Sequence, residues 1–225
     1  MKQPSHQFCE AAGDYLYMLD RGYPQKAILK IIGDRYSLSG VERSMLYRGI
    51  SACANAANRR KKISVASVLP GSHLHIDACN VLITIGSYLN GSVVFISNDG
   101  MLRDASEIHG KVFRSELVLK SLEMIVLFCA DNKPKSVNFY IDSPVSYSGM
   151  VASTIRQLLD RNLLSGSAET VHSPDFILKN IVNGIIASSD TIIMDHTTCK
   201  IVDLPYHILK ERFNPPFPDL GIFVR

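Results

Sequence analysis

No apolar run in the sequence approaches the roughly 18 residues of a membrane-spanning helix. The longest candidates, around Val81–Leu89 and Met124–Ala130, fall well short. The N-terminus, Met1-Lys2-Gln3-Pro4-Ser5-His6, does not open into the apolar stretch of a signal segment. Together these absences predict a cytoplasmic protein. Cysteine is scarce and odd in number: five, at positions 9, 53, 79, 129 and 199, with no CxxC pair and no Cys/His cluster. That argues against a disulfide framework and a structural zinc site, and reads the cysteines as small core residues. GxGxxG and GxxxxGKS are missing, so dinucleotide and P-loop readings lack their signature. A serine nucleophile lacks its GxSxG elbow.

What remains is an ordinary globular composition, 46% hydrophobic and 20% charged. It excludes disordered and collagen-like chains, and 225 residues allow one or two domains. Charge is unevenly spread. Residues 1–65 carry 11 Lys and Arg against 5 Asp and Glu, whereas 66–225 carry 13 against 16. A basic piece joined to an acidic one suits a protein that attracts phosphates with one part and holds divalent cations with the other. A merely solvated basic surface explains the same numbers.

Periodicity divides the chain at the same place. Phe8, Ala11, Ala12, Tyr15, Leu16, Met18 and Leu19 recur at helical spacing. Arg21-Gly22-Tyr23-Pro24 ends that helix and starts a second, carrying Ala27, Ile28, Ile31 and Ile32. Ser39 and Glu42 have capping-box spacing for a third, which the Ala-rich Ser51–Asn58 extends. The run Arg59-Arg60-Lys61-Lys62 closes a basic helical module and linker, residues 1–62. From 63 to 225, short β-branched runs alternate with helical stretches. Strands are predicted at Leu74–Asp77, Val93–Ile96, Val137–Ile141, Glu169–His172, Ile185–Ala187 and Ile201-Val202. Helices fall at Val81–Leu89, Ser115–Ala130, Ser148–Asn162 and Pro174–Asn180, with a helical turn opening at Thr191–Met194. This alternation predicts an α/β domain, a Rossmann-like, mostly parallel sheet with helices on both faces. The Pro-rich tail around Asn214–Pro218 is expected to run extended over the surface.

Ligands of open α/β sheets bind outside the carboxyl ends of the strands. Acids stand at those ends: Asp77, Asp99 with Asp104 behind it, Asp142, Asp175, Asp190 and, five residues on, Asp195. Converging carboxylates repel one another unless cations neutralise them. Hard cations such as Mg²⁺ and Mn²⁺ prefer such oxygen ligands, and their natural chemistry is phosphodiester hydrolysis. The candidate metal set is Asp77, Asp99, Asp104, Asp142, Asp190 and Asp195, with Asp77, Asp142 and Asp190 as the catalytic core. Candidate substrate contacts are Asn80, Arg103, Ser146 and Ser148, together with Arg59, Arg60, Lys61 and Lys62. For a single acid after a strand, helix capping is the competing explanation. His73 and His75 share a strand face but lack a third metal ligand.

The segment Asp14-Tyr15-Leu16-Tyr17-Met18-Leu19-Asp20-Arg21-Gly22-Tyr23-Pro24, with Gly33–Ser39 and Leu46-Tyr47-Arg48-Gly49, resembles the prokaryotic domain-of-unknown-function family four-three-four. The rest is similar to its usual C-terminal companion, through Ile76–Leu82, Asn98-Asp99-Gly100 with Arg103-Asp104, Asp142–Ser146 with Ser148-Gly149, Ser173-Pro174-Asp175 and Ser188-Ser189-Asp190. More remotely, the C-terminal part resembles PIN-like nucleases. Asp77 matches their acid at the end of the first strand, and Ser189-Asp190 their Ser/Thr-x-Asp-type turn. Their middle acid lies on a helix, where Glu116 and Glu123 are available. The resemblance implies a Mg²⁺- or Mn²⁺-dependent nuclease acting on RNA, with a non-catalytic RNA-binding or assembly protein as the alternative. A phosphatase of the haloacid dehalogenase type is disfavoured, because Ala78 and Cys79 follow Asp77 where a DxD pair is required. RNA is the expected partner, a membrane is not, and self-association stays open.

Overall fold

The computed structural model describes residues 5–105 and 116–224. Met1–Pro4 and Ser115, used above, lie outside them. The chain forms two compact units. The first comprises residues 5–61, 91–105 and 215–224, and the second residues 62–90 and 116–214.

The first unit is built on α1 (His6–Asp20), α2 (Gln25–Arg35), α3 (Gly40–Gly49) and α4 (Cys53–Arg60). Ser5 caps α1 by accepting from Phe8 N. Ser39 and Glu42 form the expected reciprocal capping box of α3. Pro24 is the N-cap of α2 rather than its first residue. α3 does not extend through Ser51–Asn58, because Ile50 turns extended and is buried, and α4 starts afresh. Phe8, Ala11, Ala12 and Tyr15 of α1 pack with Ile28 and Ile32 of α2 and with Met45 and Leu46 of α3.

Two later pieces complete this core. Strands β3 (Val94–Ile96) and β4 (Leu102–Asp104) pair antiparallel. The chain returns at 215–224, where Ile96 N donates to Pro218 O and Leu220 is fully buried beside Phe95. A Cβ on Gly49 would meet Phe95 and Leu220 at 2.5 Å, so this close approach requires glycine. One expectation is corrected here: the Val93–Ile96 strand belongs to a separate hairpin, not to the parallel sheet. Residues 214–218 have no helix or strand and, apart from the buried Pro215, are exposed or half-buried, while Leu220 beyond them joins the core.

The second unit is α/β. Its strands are β1 (Ile63–Ser64), β2 (His73–Asp77), β5 (Ser136–Asp142), β6 (Gly166–Val171), β7 (Ile185–Ala187) and β8 (Lys200–Val202). They lie in the order β1-β8-β7-β2-β5-β6, and every adjacent pair is parallel. Helices α5 (Ala78–Leu89), α6 (Glu116–Asn132), α7 (Ser148–Arg161), α8 (Pro174–Lys179), α9 (Thr191–His196) and α10 (Leu204–Phe213) flank the sheet. Alternation along β2 and β5 turns Leu74, Ile76, Val137, Phe139 and Ile141 to a fully buried face. His75, Asp77, Asn138, Tyr140 and Asp142 take the other, where Tyr140 packs on a small cluster of Leu178, Ile186, Ile193 and Cys199. Sequence reasoning did not find α10, although Asp203 caps it through Tyr206 N and Pro205 stands in its first turn. Cys79, Cys129 and Cys199 are buried as expected, but Cys53 is exposed. No helix among the described residues is long and apolar enough to cross a membrane.

Candidate functional site

The parallel order places β7, β2 and β5 side by side, so the residues at their carboxyl ends meet. Register aligns Asp77 with Tyr140, which puts Asp142 two residues further along the neighbouring strand on the same face. Ile76 aligns with Ala187, so Ser188 comes level with Asp77. Ser188 Oγ donates to Asp77 Oδ2 at 2.9 Å and accepts from Asp190 N at 3.0 Å. Asn80, on the first turn of α5, holds the same turn from the other side. Its Oδ1 accepts from Ser189 N at 2.9 Å and from Ser189 Oγ at 3.1 Å.

The electrostatics follow from burial and like charge. Burial pushes the Asp77 carboxyl up to about 7, and the charges of Asp190 and Asp142 add to the rise; hydrogen bonds from Asn80 N and Ser188 only partly offset it. Asp175, on the first turn of α8, is also raised, by burial first and then by Asp190 and Asp142. Asp77 and Asp175 therefore both feel the charges of Asp190 and Asp142 at the carboxyl ends of the strands. The Cys79 thiol is pushed up by burial and lies in hydrogen-bonding range of Asp142.

Two of these acids also cap helices. Asp77 Oδ1 accepts from Asn80 N at 3.2 Å at the start of α5. Asp190 Oδ1 accepts from Ile192 N at 2.7 Å and Ile193 N at 3.3 Å at the start of α9. Capping and clustering thus coexist at both positions. Among the described residues, no three His, Cys, Asp or Glu side chains form a group that could hold a metal ion as they stand.

The other expected site residues lie elsewhere. Asp99 and Asp104 are in the first unit and are completely buried in ion pairs. Arg103 clasps Asp99 with two hydrogen bonds, of 2.8 and 2.9 Å, and Arg59 adds a third at 3.3 Å. Burial alone would raise the Asp99 carboxyl. The Arg103 charge and hydrogen bonds, with Ser97 and Arg59, outweigh it and hold the group at about 2. Asp104 pairs with Arg48 through contacts of 3.1 and 3.0 Å. These carboxylates are already neutralised by guanidinium groups, which corrects their assignment as metal ligands. The same clasp corrects Arg103 and Arg59 as phosphate contacts. Lys62 is corrected too: its ammonium donates to Met194 O at 2.7 Å and Asp195 O at 3.3 Å, at the end of α9. Arg60 and Lys61 are exposed.

Asp195 is exposed on the second turn of α9, roughly 7 Å along the helix from the capping acid by the 1.5 Å rise per residue. That distance takes it away from the strand ends. Ser146 is exposed in the turn after β5, and Ser148 opens α7, its hydroxyl donating to Ser143 O at 3.3 Å. Glu116 and Glu123 are exposed on α6. His73 and His75 face Ser136 Oγ and the Tyr140 hydroxyl, at 2.7 and 3.2 Å, and stand at the amino-terminal side of Asp77 on β2. Ser188 enters the sequence reading only as part of the Ser188-Ser189-Asp190 stretch. Its position two residues before Asp190, after a three-residue apolar strand, was the available signal.

Two family models and one relative match this chain. An uncharacterized protein of Methanocaldococcus jannaschii is 27% identical over 196 residues, covering 87% of this chain and 93% of the relative. No solved structure is significantly similar. Residues 7–62 match a family described as a protein of unknown function, DUF434. Residues 66–207, which hold the whole carboxylate edge and more than half of the chain, match the domain of unknown function DUF5616, and the chain belongs to that family.

Proposed function

We propose that the protein is a divalent-cation-dependent phosphodiesterase acting on RNA, with its reaction centre at the carboxyl ends of β2, β5 and β7. The single observation that carries this reading is the strand register that brings Asp77, Asp142 and the turn bearing Asp190 to the carboxyl ends of three adjacent strands; burial chiefly, and the charges of Asp190 and Asp142 in addition, raise the Asp77 carboxyl to about 7. An acid at the end of the first long strand and a Ser-Asp turn after a later one is also the PIN-like pattern. The donors are carboxylate oxygens, the chemistry Mg²⁺ and Mn²⁺ select. Asp142 and Asp190 would hold the ion, with Asp77 and Asp175 beside them. When bound, such an ion supplies an attacking hydroxide and stabilises charge on the phosphate. Asn80 and Ser188 are positioning residues that fix the Asp190 turn against Asp77. Burial favours a proton on Asp77, and a bound cation would favour its loss.

A second reading is favoured by the capping bonds of Asp77 and Asp190. Both acids satisfy helix N-termini, as structural residues do, and the fold would then serve a non-catalytic RNA-binding protein. Incubating a mixed pool of single-stranded and hairpin RNA with the protein in Mn²⁺, Mg²⁺ or EDTA decides between them. Metal-dependent cleavage that disappears in Asp142→Asn supports the phosphodiesterase. RNA binding with no metal-dependent cleavage leaves the second reading.

A further inference from the structure

The helical hairpin α1–α2 leaves an unusual surface uncovered. Its inner side is spent on the core, through Phe8, Ala11, Ala12 and Tyr15 against Ile28 and Ile32. On its outer side, Tyr17, Tyr23 and Ile31 are each more than half exposed. They line a groove with Asp14, Met18, Arg21 and Arg35. The Arg21 guanidinium lies 3.4 Å from the centre of the Tyr17 ring, a cation–aromatic stack on the surface.

Charge selects the occupant. Residues 1–65 carry a net +6, but much of that is committed within the unit. Arg43 pairs with Asp34, Arg48 with Asp104 and Arg59 with Asp99. Arg35 faces Asp14 at 3.9 Å, with both side chains largely exposed. Arg21, Lys26 and Lys30 on this hairpin are exposed, and none of them pairs with a carboxylate among the described residues. Unpaired cations beside exposed aromatic faces are the two elements of single-strand recognition: the cations follow the phosphates and the rings take the bases. A duplex keeps its base faces stacked internally and cannot use the tyrosines.

We infer that the α1–α2 groove binds single-stranded RNA, with unpaired bases stacking on Tyr17 and Tyr23 and phosphates lying along Arg21 within the groove and along Lys26 and Lys30, exposed on α2 outside its lining. This rests on the RNA reading above, not on the cleavage reading. It moves the RNA contacts from the Arg59–Lys62 run, half of which is bound up internally, to a surface whose cations pair with no carboxylate among the described residues. An acidic protein segment would satisfy the cations but would have no use for the ring faces.

Binding is measured in EDTA, where metal-dependent cleavage cannot intervene. The probes are a fluorescent single-stranded oligoribonucleotide of about 12 nucleotides, within the range of known single-strand sites, and an abasic oligomer with the same phosphates. Polyglutamate serves as competitor. The wild type should prefer the base-bearing strand. Tyr17→Ala and Tyr23→Ala should each weaken that binding by about 5- to 100-fold, from roughly 1–3 kcal/mol per stacked base, and leave the abasic oligomer unaffected. Tyr17→Phe should bind as wild type. Arg21→Ala and Lys30→Ala should each flatten the plot of log affinity against log salt by about 0.7. The sequence contains no tryptophan, so Tyr17→Trp adds a single reporter whose fluorescence should be quenched by the strand. Equal binding of abasic and base-bearing strands, unchanged affinity in both alanine variants, or displacement by polyglutamate as effective as by RNA overturns the inference. Cleavage is scored separately with Mn²⁺, so a loss of either reading is recognised without the other.

Discussion

The Ser188 hydroxyl donates to the Asp77 carboxylate at 2.9 Å, joining the ends of two adjacent parallel strands whose residues are 111 positions apart. The same oxygen accepts from Asp190 N, so one hydroxyl connects a buried acid to the turn that carries the next. Such a bond favours the charged form of Asp77, yet burial and the neighbouring charges win and raise the group to about 7.

This gives Asp77 an inverted pH dependence. The unfolded chain loses this proton near the ordinary 3.8, whereas the native state keeps it to about 7. Between those values the native state binds more protons, so stability should fall as pH rises and level off above about 7. Asp77→Asn keeps one oxygen acceptor, enough for Asn80 N, puts a donating amide where Ser188 Oγ now donates, and removes the titration. Melting temperatures from pH 4 to 8 should therefore decline less in the variant. An identical decline in both proteins would show that Asp77 ionises normally.

Asp99 should behave in the opposite way. Its carboxyl, held at about 2, contributes stability above the usual 3.8 that is lost as pH falls through about 2. Asp99→Ala strands two nearly buried guanidinium groups, Arg59 and Arg103, and should cost about 3–5 kcal/mol. Denaturant titration measures this. A cost below about 1 kcal/mol would mean that the clasp is not structural.

The contrast between these two acids shows what was legible in the sequence. Both follow short β-branched runs, and both read as strand-end acids. Strand and helix positions came through well where the signal is local: the Ser39–Glu42 box, the Ile185–Ala187 strand and the start of α7 at Ser148. Nothing local distinguishes a parallel strand from an arm of a hairpin, so Asp99 was grouped with Asp77. Its partner Arg103 lies four residues away, but Arg59 comes from 40 residues upstream and depends on the tertiary fold. Leu220 is similar. Its burial against Phe95 and Gly49 needs segments distant in sequence, and the Pro-rich stretch that is legible as a tail ends at Pro218, short of it.

Lys62 and Lys61 separate structure from solvation within one basic run. Lys62 satisfies the carbonyls of Met194 and Asp195, so Lys62→Ala should lower stability by about 1 kcal/mol. Lys61 is exposed and makes a long contact of 3.4 Å to Asn58 Oδ1. Lys61→Ala should change stability by less than about 0.5 kcal/mol. Neither substitution should alter the salt dependence of RNA binding as strongly as Arg21→Ala. Thermal melts paired with salt titrations test all three, and a steep loss of salt dependence in Lys62→Ala would return this residue to the binding surface.

Asp190 offers the cleanest division between cap and catalyst, because Asn and Ala treat its two roles differently. One carboxylate oxygen accepts from Ile192 N and Ile193 N. Asn is as good an N-cap as Asp, whereas Ala forfeits about 1 kcal/mol. As a cap alone, Asp190→Asn should match the wild type in every respect, and Asp190→Ala should only lower the melting temperature. As a cation ligand, Asp190 works through its charge, which Asn lacks. Asp190→Asn should then melt like the wild type but lose metal-dependent RNA cleavage, by about 100-fold or more if several kcal/mol of transition-state stabilisation pass through the ion. RNA affinity in EDTA should stay equal or tighten slightly, since one negative charge near the phosphates is gone. Measuring melting, cleavage and binding on the same preparations of both variants gives a pattern that a cap cannot imitate. Full cleavage by Asp190→Asn would reduce Asp190 to a structural residue and remove the phosphodiesterase reading from this edge of the sheet.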